Sequence, residues 1–519
     1  MNKKESFLPY FLLRNFSIVG LWTMASKILG FARDILMANF LGSGPIAEAF
    51  LIAFSLPNMF RRLFAEGAFN SAFIPILSKK LSKIRNAETF SSDALSILLA
   101  LLLMICALAE IFMPSFIIAM ASGFTGDSRL QMSVDFGRIM FPYILLISLS
   151  AFFGGILNAL NKYSVTAAAP LLLNIAFILA LLVAESRQLS YGWALTFAVP
   201  VAGLLQLCLM LFFLKHQKFK IRLKFPKFTG DIKRLAVVAV PAALAGGVIQ
   251  VNLLVGRQVA SYFDGAIAWL SYADRLYQLP LGVIGIAIGV VLLPNLSKVT
   301  SRKKEIERNN LVNRSTEFAL IFTLPATSAL LIIPYPLIVA LFERGAFTSY
   351  DAYNTSNALL VYAIGLPAFV FQKIFSTIYF AYEDTQSPFR FALIGMVCNL
   401  VLAIGLASTF GYLAPAIGTS VSGWIITFFL WRNLHTFNFR FDANFYKMVI
   451  KILGATVVLS LFLILSKFLF ITYFLASSQK IILIVFLIII SSVIYFIACK
   501  ALNLLEPFSQ IYKNKNEPS

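Results

Sequence analysis

The sequence alternates between long apolar runs and short polar stretches from one end of the chain to the other. Most of the apolar runs hold about 20 residues, which is enough for a helix to cross the ~30 Å hydrocarbon core of a bilayer. The pattern therefore predicts an all-α polytopic membrane protein with about 14 transmembrane helices. The predicted spans are 12–41, 47–78, 92–114, 134–160, 165–184, 192–214, 235–256, 266–297, 313–334, 353–382, 389–409, 412–431, 446–470 and 480–502.

Basic residues concentrate in alternate loops between these spans. Because cytoplasmic loops are enriched in Lys and Arg, the alternation predicts an even number of spans with both termini in the cytoplasm. The intervening loops are nearly neutral, as in the stretch that holds Asp127 and Arg129. The basic clusters follow the second, sixth, eighth and twelfth spans and include Lys79, Lys80, Lys83, Arg85, Lys215, Lys218, Lys220, Arg222, Lys298, Arg302, Lys303, Arg432 and Arg440.

The composition supports a membrane location and excludes several other classes. Of the 519 residues, 59% are hydrophobic and 13% are charged, which is too apolar for a soluble core of this length. The net charge of +20 lies in the short loops, where it fits anionic lipid headgroups and not nucleic acid. Four scattered cysteines and two isolated histidines predict neither a disulfide framework nor a metal site. No cleavable signal peptide is expected, because the first apolar segment is long and carries internal charges.

A weak internal repeat suggests how the spans are organised. The stretch 75–79 reads PILSK near the end of the second span, and 294–298 reads PNLSK near the end of the eighth. Repeats of this kind are common in transporters. The expected arrangement is an N-terminal lobe of six spans over 1–225 and a C-terminal lobe of six spans over 226–440. Two additional helices and a cytoplasmic tail would occupy 441–519.

The most informative polar residues are charges inside the predicted spans. Each costs at least ~2.5–3.5 kcal/mol at the centre of a spanning helix, so it needs a partner, a wet cavity or a substrate. They fall into two groups, one in the first two spans and one in the eighth, which the repeat relates to the second. The groups are Lys27, Arg33, Asp34, Glu48, Arg61, Arg62 and Glu66, followed by Asp274 and Arg275.

The arginines suggest an anionic ligand. A guanidinium holds phosphate oxygens in a bidentate manner and stays charged at any working pH. Several arginines that face one cavity repel each other unless an anion or carboxylates neutralise them. We therefore predict that arginines of the two groups face one cavity and bind an anion such as a diphosphate there. The carboxylates expected to neutralise the empty cavity are Asp34, Glu48, Glu66 and Asp274.

Structural roles compete with this interpretation at several positions. The neighbouring pairs Arg33–Asp34 and Asp274–Arg275 also fit ion pairs or snorkelling side chains near span ends. A structural role fits Arg61 as well as a binding role does, and Arg62 fits the structural role better. Lys373, in the tenth span, fits a cavity wall and a local ion pair equally.

At these residues the chain resembles the MurJ/MviN family of lipid II flippases, within the multidrug/oligosaccharidyl-lipid/polysaccharide exporter superfamily. The matching stretches are 30–34 (GFARD), 56–69 (LPNMFRRLFAEGAF), 141–148 (FPYILLIS), 272–276 (YADRL) and 293–298 (LPNLSK). The resemblance is strongest over the first 300 residues and most specific at 61–69 (RRLFAEGAF).

The resemblance implies two six-helix lobes around a cationic cavity, alternating access, and a groove for a lipid tail at the last two helices. Its essential arginines fall on Arg33, Arg61 and Arg275, which the resemblance implies would hold a lipid-linked diphosphate, with Lys27 assisting. Two positions depart from the family pattern: Lys27 stands where an arginine is usual, and Gln278 stands where a glutamate is common. The first departure keeps the charge without the bidentate geometry, and the second removes a negative charge.

The resemblance also implies a substrate and a role. The substrate would be lipid II, an undecaprenyl diphosphate that carries a disaccharide-pentapeptide, moved from the inner to the outer leaflet for peptidoglycan synthesis. No phosphate loop for ATP is present, and no cofactor is expected. The membrane potential favours export of an anion by ~2.3 kcal/mol per charge per 100 mV. Coupling to a monovalent cation stays open, as does contact with the cell-wall synthesis machinery.

Three rival functions remain. The nearest is a related exporter of another polyprenyl-diphosphate-linked oligosaccharide; an arginine-lined cavity argues against a cationic drug. A membrane enzyme such as a polyprenyl-phosphate sugar transferase would need carboxylates gathered in a surface loop, whereas the neutral loops here are short. A scaffold of the cell-wall machinery would tolerate neutral substitutions at the buried arginines, which a flippase would not.

Overall fold

A computed structural model of the chain describes residues 3–61, 68–298, 305–477 and 479–504. Within these ranges, side chains are described except at 3–17, 68, 69, 71, 242–246, 248, 249, 283–298, 305 and 470. The described residues form helices, turns and loops only. The helices are α1 Lys3–Leu41, α2 Pro45–Arg61, α3 Ala68–Lys80, α4 Ile84–Met120, α5 Ser128–Met140, α6 Tyr143–Ala159, α7 Tyr163–Ser186, α8 Tyr191–His216, α9 Gly230–Ala260, α10 Ala266–Lys298, α11 Glu305–Ile332, α12 Pro334–Phe342, α13 Ser349–Ala381, α14 Gln386–Gly405, α15 Ala407–Phe410, α16 Ala414–Arg432, α17 Ala443–Ala476 and α18 Lys480–Ala501.

The prediction of an all-α polytopic membrane protein is confirmed. Among the described residues, ten segments are long and apolar enough to cross a membrane by length and composition. The other four predicted spans, 12–41, 47–78, 235–256 and 266–297, fall on α1, on α2 with α3, on α9 and on α10. The exact count of 14 spans stays a prediction.

Two predicted spans are broken into helix pairs. The span 47–78 consists of α2 and α3, with 62–67 between them outside the described residues. The span 134–160 lies on α5 and α6, which are separated at Phe141 and Pro142. Pro142 stands at this break, and it lacks the backbone N–H that would continue the helical bonding pattern. The nine-residue helix α12 lies between two predicted spans, and the sequence pattern gave no sign of it.

The first compact unit comprises residues 1–268 and 344–347. Within it, α1 packs on α7, α7 and α6 pack on α8, and α2 packs on α5. Helix α9 contacts α3 and α4 and so belongs to this unit by packing. Its core holds Met37, Phe50, Phe136, Phe177 and Leu195, each at most 5% exposed. These apolar contacts fix the helices that carry Arg33 and Arg61.

The second compact unit comprises residues 269–343 and 348–519. Here α13 and α14 pack on α16, while α11 packs on α13 and α17. Helix α17 also contacts α18. The compact units group helices by packing, whereas the predicted lobes 1–225 and 226–440 and the segment 441–519 follow from the sequence repeat. Those lobe boundaries stay a prediction.

Candidate functional site

Arg33 and Asp34 form an ion pair inside the first unit. The Arg33 Nη2 atom lies 2.6 Å from Asp34 Oδ1, and Nε of the same guanidinium donates to that oxygen at 3.0 Å. Each residue is 7% exposed, and the Arg33 guanidinium lies 5.4 Å from the ring centre of Phe177. Two groups of opposite charge thus enter the apolar interior together, which lowers the cost of burying either one.

A neutral amide on a neighbouring helix completes the surroundings of Arg33. Arg33 Nη1 donates to Asn174 Oδ1 on α7 at 3.0 Å, and Asn174 Nδ2 donates to the Ser26 carbonyl at 3.0 Å. Asn174 therefore connects two points of α1 that are nearly two helical turns apart. Because Asn174 is only 7% exposed, these bonds replace water that the amide lost on burial.

A cavity of about 470 Å³ opens beside this cluster. Its wall is built by α3, α6, α7 and α8, and Arg61 at the end of α2 contributes the guanidinium. Asn174 also lines the cavity, so Arg33 is one hydrogen bond away from it. Two of the three predicted arginines are thus associated with one cavity, Arg61 directly and Arg33 through an amide.

The cavity wall is rich in uncharged polar groups. Thr166 donates to Asn158 Oδ1 at 2.8 Å, and Gln206 Nε2 donates to the Ala169 carbonyl at 3.0 Å. Tyr143 donates to Gln206 Oε1 at 3.4 Å. Such groups would be costly against lipid, but here they face one another across three helices.

Arg61 is half-buried at the last turn of α2. Its Nε atom donates to Asn58 Oδ1, 3.2 Å away and one turn earlier on the same helix. The Arg61 guanidinium is thus oriented by a residue of its own helix. The predicted residues Arg62 and Glu66 lie outside the described residues.

Lys27 is exposed on α1, one residue from Ser26, whose carbonyl accepts from Asn174. Lys27 and Arg33 are six residues apart, so at 1.5 Å of rise per residue they lie about 9 Å apart along α1. The exposed ammonium is available to a ligand that approaches this helix.

The remaining predicted residues belong to the second unit. On α10, Asp274 is half-buried and Arg275 is exposed, and Gln278 Nε2 donates to Asp274 Oδ2. The departure from the family glutamate thus supplies a donor to Asp274 in place of a second carboxylate. Lys373 is exposed on α13. The convergence of Arg275 with Arg33 and Arg61 stays a prediction.

Glu48 has a different partner from the arginines predicted for it. Glu48 Oε2 lies 2.8 Å from Arg129 Nη1, and Glu48 Oε1 accepts from the Ile267 amide at 3.2 Å. The carboxylate stands in the first turn of α2, whereas Arg61 stands in the last turn, about 20 Å away along the helix. Direct neutralisation of Arg61 by Glu48 is therefore excluded by the length of α2.

Arg129 is the centre of this second cluster. It also pairs with Asp127 and with Asp264, whose Oδ1 lies 2.9 Å from Arg129 Nη2, and its guanidinium stacks 4.5 Å from the Phe124 ring centre. Burial alone would raise the pKa of Asp127, but hydrogen bonds from the Arg129 amide and guanidinium lower it. One buried cation thus joins the start of α2, the start of α5 and the loop before α10.

Sequence reasoning missed the roles of Arg129 and Asn174. Arg129 was grouped with Asp127 as a neutral loop, and nothing local in the sequence indicates Glu48 or Asp264 as its partners. Asn174 is an uncharged residue within an apolar run, and an amide gives a weaker signal than a charge. Among the described residues, no group of three or more His, Cys, Asp and Glu is placed to hold a metal ion.

Comparison with known proteins identifies close relatives. A family model described as "Lipid II flippase MurJ" matches residues 37–487. A protein of Rhizobium tropici named "Probable lipid II flippase MurJ" is 42% identical over 421 residues, which are 80% of this chain and 79% of the relative. A protein of the same name from Rickettsia prowazekii (strain Madrid E) is 34% identical over 415 residues, covering 80% of this chain and 82% of the relative.

Solved structures are similar over nearly the whole chain. A lipid II flippase MurJ in an inward closed conformation has a TM-score of 0.78 and 26% identity, covering 93% of this chain and 98% of that structure. A multidrug resistance MATE family transporter in an inward-facing conformation has a TM-score of 0.63 and 15% identity, covering 80% and 95%. The second likeness concerns the fold alone.

Proposed function

The chain belongs to the MurJ family of lipid II flippases, and on that premise we propose that it moves lipid II from the inner to the outer leaflet of the cytoplasmic membrane. The protein is a multi-pass membrane protein and acts as a transporter in peptidoglycan biosynthesis. The family match favours lipid II over another polyprenyl-diphosphate-linked oligosaccharide.

The observation that supports this proposal best is the placement of two arginines at one cavity. Arg61 lines the wall, and Arg33 reaches the wall through Asn174. In a membrane interior, cations at a polar cavity are most useful when they bind an anion. A diphosphate offers the oxygens that two guanidinium groups can each hold in a bidentate manner.

Asp34 acts in this mechanism as a substitute for the substrate. In the empty site it neutralises Arg33 at 2.6 Å. When the diphosphate arrives, its oxygens replace the Asp34 carboxylate at Arg33, so the cation is paired in both states. Lys27 and Arg275 add positive charge along the path of the headgroup, and the apolar tail stays in lipid.

The headgroup crosses by alternating access, and the sequence holds no phosphate-loop motif of the Gly-x4-Gly-Lys-Ser/Thr type. An inside-negative membrane potential favours outward movement of an anion by ~2.3 kcal/mol per charge per 100 mV. Coupling to a monovalent cation is the alternative source of energy. In the orientation that the basic loops indicate, both termini are cytoplasmic, and cell-wall synthesis proteins receive the exported lipid.

Complementation combined with a leaflet assay tests the function. The native flippase is depleted from a test bacterium, this chain is expressed, and the lipid II that reaches the outer leaflet is quantified. Wild type restores export, whereas Arg33→Ala, Arg61→Ala and Arg275→Ala each lower it at equal membrane insertion. Arg187→Ala, an exposed loop residue, is the matched control and exports normally.

Two outcomes would change the proposal. A well-inserted wild type that exports no lipid II would redirect the assignment to another polyprenyl-diphosphate-linked substrate. Export that survives all three arginine substitutions would remove the arginines from the mechanism and leave the family assignment in place.

A further inference from the structure

The cavity of the first unit carries more polar chemistry than a diphosphate requires. Beyond Arg61, its wall presents the carboxamides of Asn158 and Gln206 and the hydroxyls of Ser150 and Thr166. Among the described wall residues, Arg61 is the one charged group. The site therefore combines a cationic end with a neutral hydrogen-bonding surface.

The neutral surface can both donate and accept. A carboxamide carries two N–H donors and an oxygen with two lone pairs, so one internal bond leaves capacity for a ligand. Asn158 Oδ1 accepts a hydrogen bond from the Thr166 hydroxyl at 2.8 Å. The side-chain Nδ2 atom of Asn158 donates to none of the described residues. Gln206 is held by the Ala169 carbonyl and by Tyr143, which fixes its position on the wall.

Small side chains on α6 and α7 leave room in front of these groups. Ala151, Gly154 and Ala169 line the cavity, and a Cβ atom added at Gly154 would lie 3.0 Å from the Thr166 methyl group. The volume of about 470 Å³ falls within the ~300–1,000 Å³ range of small-molecule sites. The space is thus large enough for a ligand part with hydroxyl and amide groups.

We propose that this cavity is a subsite for the neutral N-acetylated sugar that is linked directly to the diphosphate. The inference rests on the proposed lipid II transport. A sugar attached to a phosphate held by Arg61 must lie next to Arg61, where the amide wall begins. Its hydroxyl and acetamido groups match the donors and acceptors of Asn158, Thr166 and Gln206. The pentapeptide, which carries ionised groups, finds no described charged partner on this wall other than Arg61.

This assignment gives the protein a means to recognise a glycosylated lipid. The diphosphate and the polyprenyl chain are common to undecaprenyl diphosphate and to lipid II, so arginines alone cannot discriminate between them. The wall groups bind only the lipid that carries sugar. Discrimination therefore resides in Asn158 and its neighbours, whereas affinity for both lipids resides in the arginines.

The test compares two ligands on the full chain in nanodiscs. Binding of lipid II and of undecaprenyl diphosphate is titrated for wild type, Asn158→Leu, Ala151→Phe and Arg61→Ala. Asn158→Leu removes the amide at similar size, and Ala151→Phe fills the space. Each is expected to weaken lipid II binding about tenfold, as loss of a hydrogen-bonded group in a buried site does, with undecaprenyl diphosphate unchanged. Arg61→Ala weakens both.

Two controls match these variants. Asn354→Leu removes a buried amide on α13 that bonds the Tyr350 carbonyl of its own helix, and Ala100→Phe adds the same bulk on the exposed face of α4. Both keep wild-type affinity for the two lipids. Thermal melting and elution volume identify a variant that fails to fold. Asn158→Leu and Ala151→Phe alter the same site in different ways, so one variant still tests the subsite if the other fails to fold.

The outcomes separate this inference from the proposed function. If wild type binds neither lipid, the proposed function itself fails, and this inference fails with it. If wild type binds lipid II but Asn158→Leu and Ala151→Phe weaken both lipids equally, or weaken neither, the sugar subsite is overturned while the flippase assignment stands.

Discussion

Arg33 on α1 and Asn174 on α7 are joined by a hydrogen bond of 3.0 Å, and the same asparagine lines the cavity. One neutral side chain therefore links the buried ion pair of the first unit with the space where a ligand would lie. Any movement of the Arg33 guanidinium towards a bound anion changes what Asn174 bonds, and the Ser26 carbonyl is affected through the other end of the same amide.

Replacement of Asn174 by alanine should separate α1 from α7. The change leaves one Arg33 nitrogen without its acceptor in a site that is 7% exposed, at a cost of about 1–3 kcal/mol. We expect a lower melting temperature and slower lipid II export. Thermal unfolding in detergent and the leaflet assay measure the two effects.

The control for Asn174→Ala is Asn354→Ala, because Asn354 is also buried and its side-chain amide donates to the Tyr350 carbonyl of its own helix. If both variants lose the same stability and both export normally, the connection between Arg33 and the cavity has no functional importance.

Local sequence signals suffice for most helices and for two of the cavity arginines. The apolar runs predicted the helices because each run is long enough to span a bilayer. The break at Pro142 was less predictable, because Pro200 stands inside the continuous helix α8. Arg33 and Arg61 were candidates because a charged side chain inside a spanning helix needs a partner, a wet cavity or a substrate. Asn174 gave no signal, because an amide inside an apolar run is inexpensive when another helix supplies its partner.

Other features depend on contacts between distant parts of the chain. Arg129 and Glu48 are 81 residues apart, so no local pattern could pair them. Helix α12 has nine residues, too few for the length criterion that identified the spans. The cavity itself is formed by five helices whose relative positions depend on tertiary packing, which the hydrophobic pattern does not encode.

Loss of Arg129 should destabilise the first unit strongly. Arg129→Ala leaves Glu48, which is 1% exposed, without its cation, and removing one partner of a buried ion pair costs about 3–5 kcal/mol. Arg129→Lys keeps the charge but cannot reach Glu48, Asp127 and Asp264 together, so it should fall between alanine and wild type. Thermal unfolding of the purified protein ranks the three.

Arg187→Ala is the reference for this series, because Arg187 is exposed in a loop of the same unit. An equal loss of stability for Arg187→Ala and Arg129→Ala would mean that the Arg129 cluster contributes no more than a surface charge.

A methyl group at Gly123 should disturb the contact between the segment after α4 and the end of α9. A Cβ atom there would lie 2.4 Å from the Ser261 backbone carbon, so the backbones must move apart. The Gly123 amide would then lose its bond to the Ser261 hydroxyl, now 2.9 Å long. We expect Gly123→Ala to cost about 1–3 kcal/mol, as overpacking does.

Gly230→Ala is the matched control for Gly123→Ala, because no heavy atom lies within 4 Å of the added Cβ. Hydrogen exchange of the last turn of α9 should rise in Gly123→Ala and stay unchanged in Gly230→Ala. Unchanged exchange in both would show that the close contact at Ser261 does not hold α9.

The loop before α14 should make stability depend on acidic pH through Asp384. Burial would raise the pKa of Asp384, but hydrogen bonds from the Ser387 hydroxyl and amide outweigh that effect and lower it. A group with a lowered folded-state pKa stabilises the protein above its unfolded pKa of about 3.9, and this contribution is lost as the pH falls through the folded value. Asp384→Asn should therefore melt below wild type at pH 6, with a difference that shrinks below pH ~4.

The reference for Asp384→Asn is Glu383→Gln, which removes an exposed carboxylate from the same loop. A constant difference between wild type and Asp384→Asn from pH 6 to pH 3 would contradict the role of the ionised carboxylate.

Transport by the purified protein is the direct test of whether this chain carries lipid II across a bilayer on its cavity arginines. Wild type, Arg61→Ala and Arg187→Ala are reconstituted in liposomes with fluorescent lipid II, and the fraction that becomes accessible to an enzyme outside is followed over time. We expect accessibility to rise with wild type and with Arg187→Ala and to stay near the protein-free rate with Arg61→Ala. Equal rates for wild type and protein-free liposomes, in protein of verified fold and orientation, would contradict it.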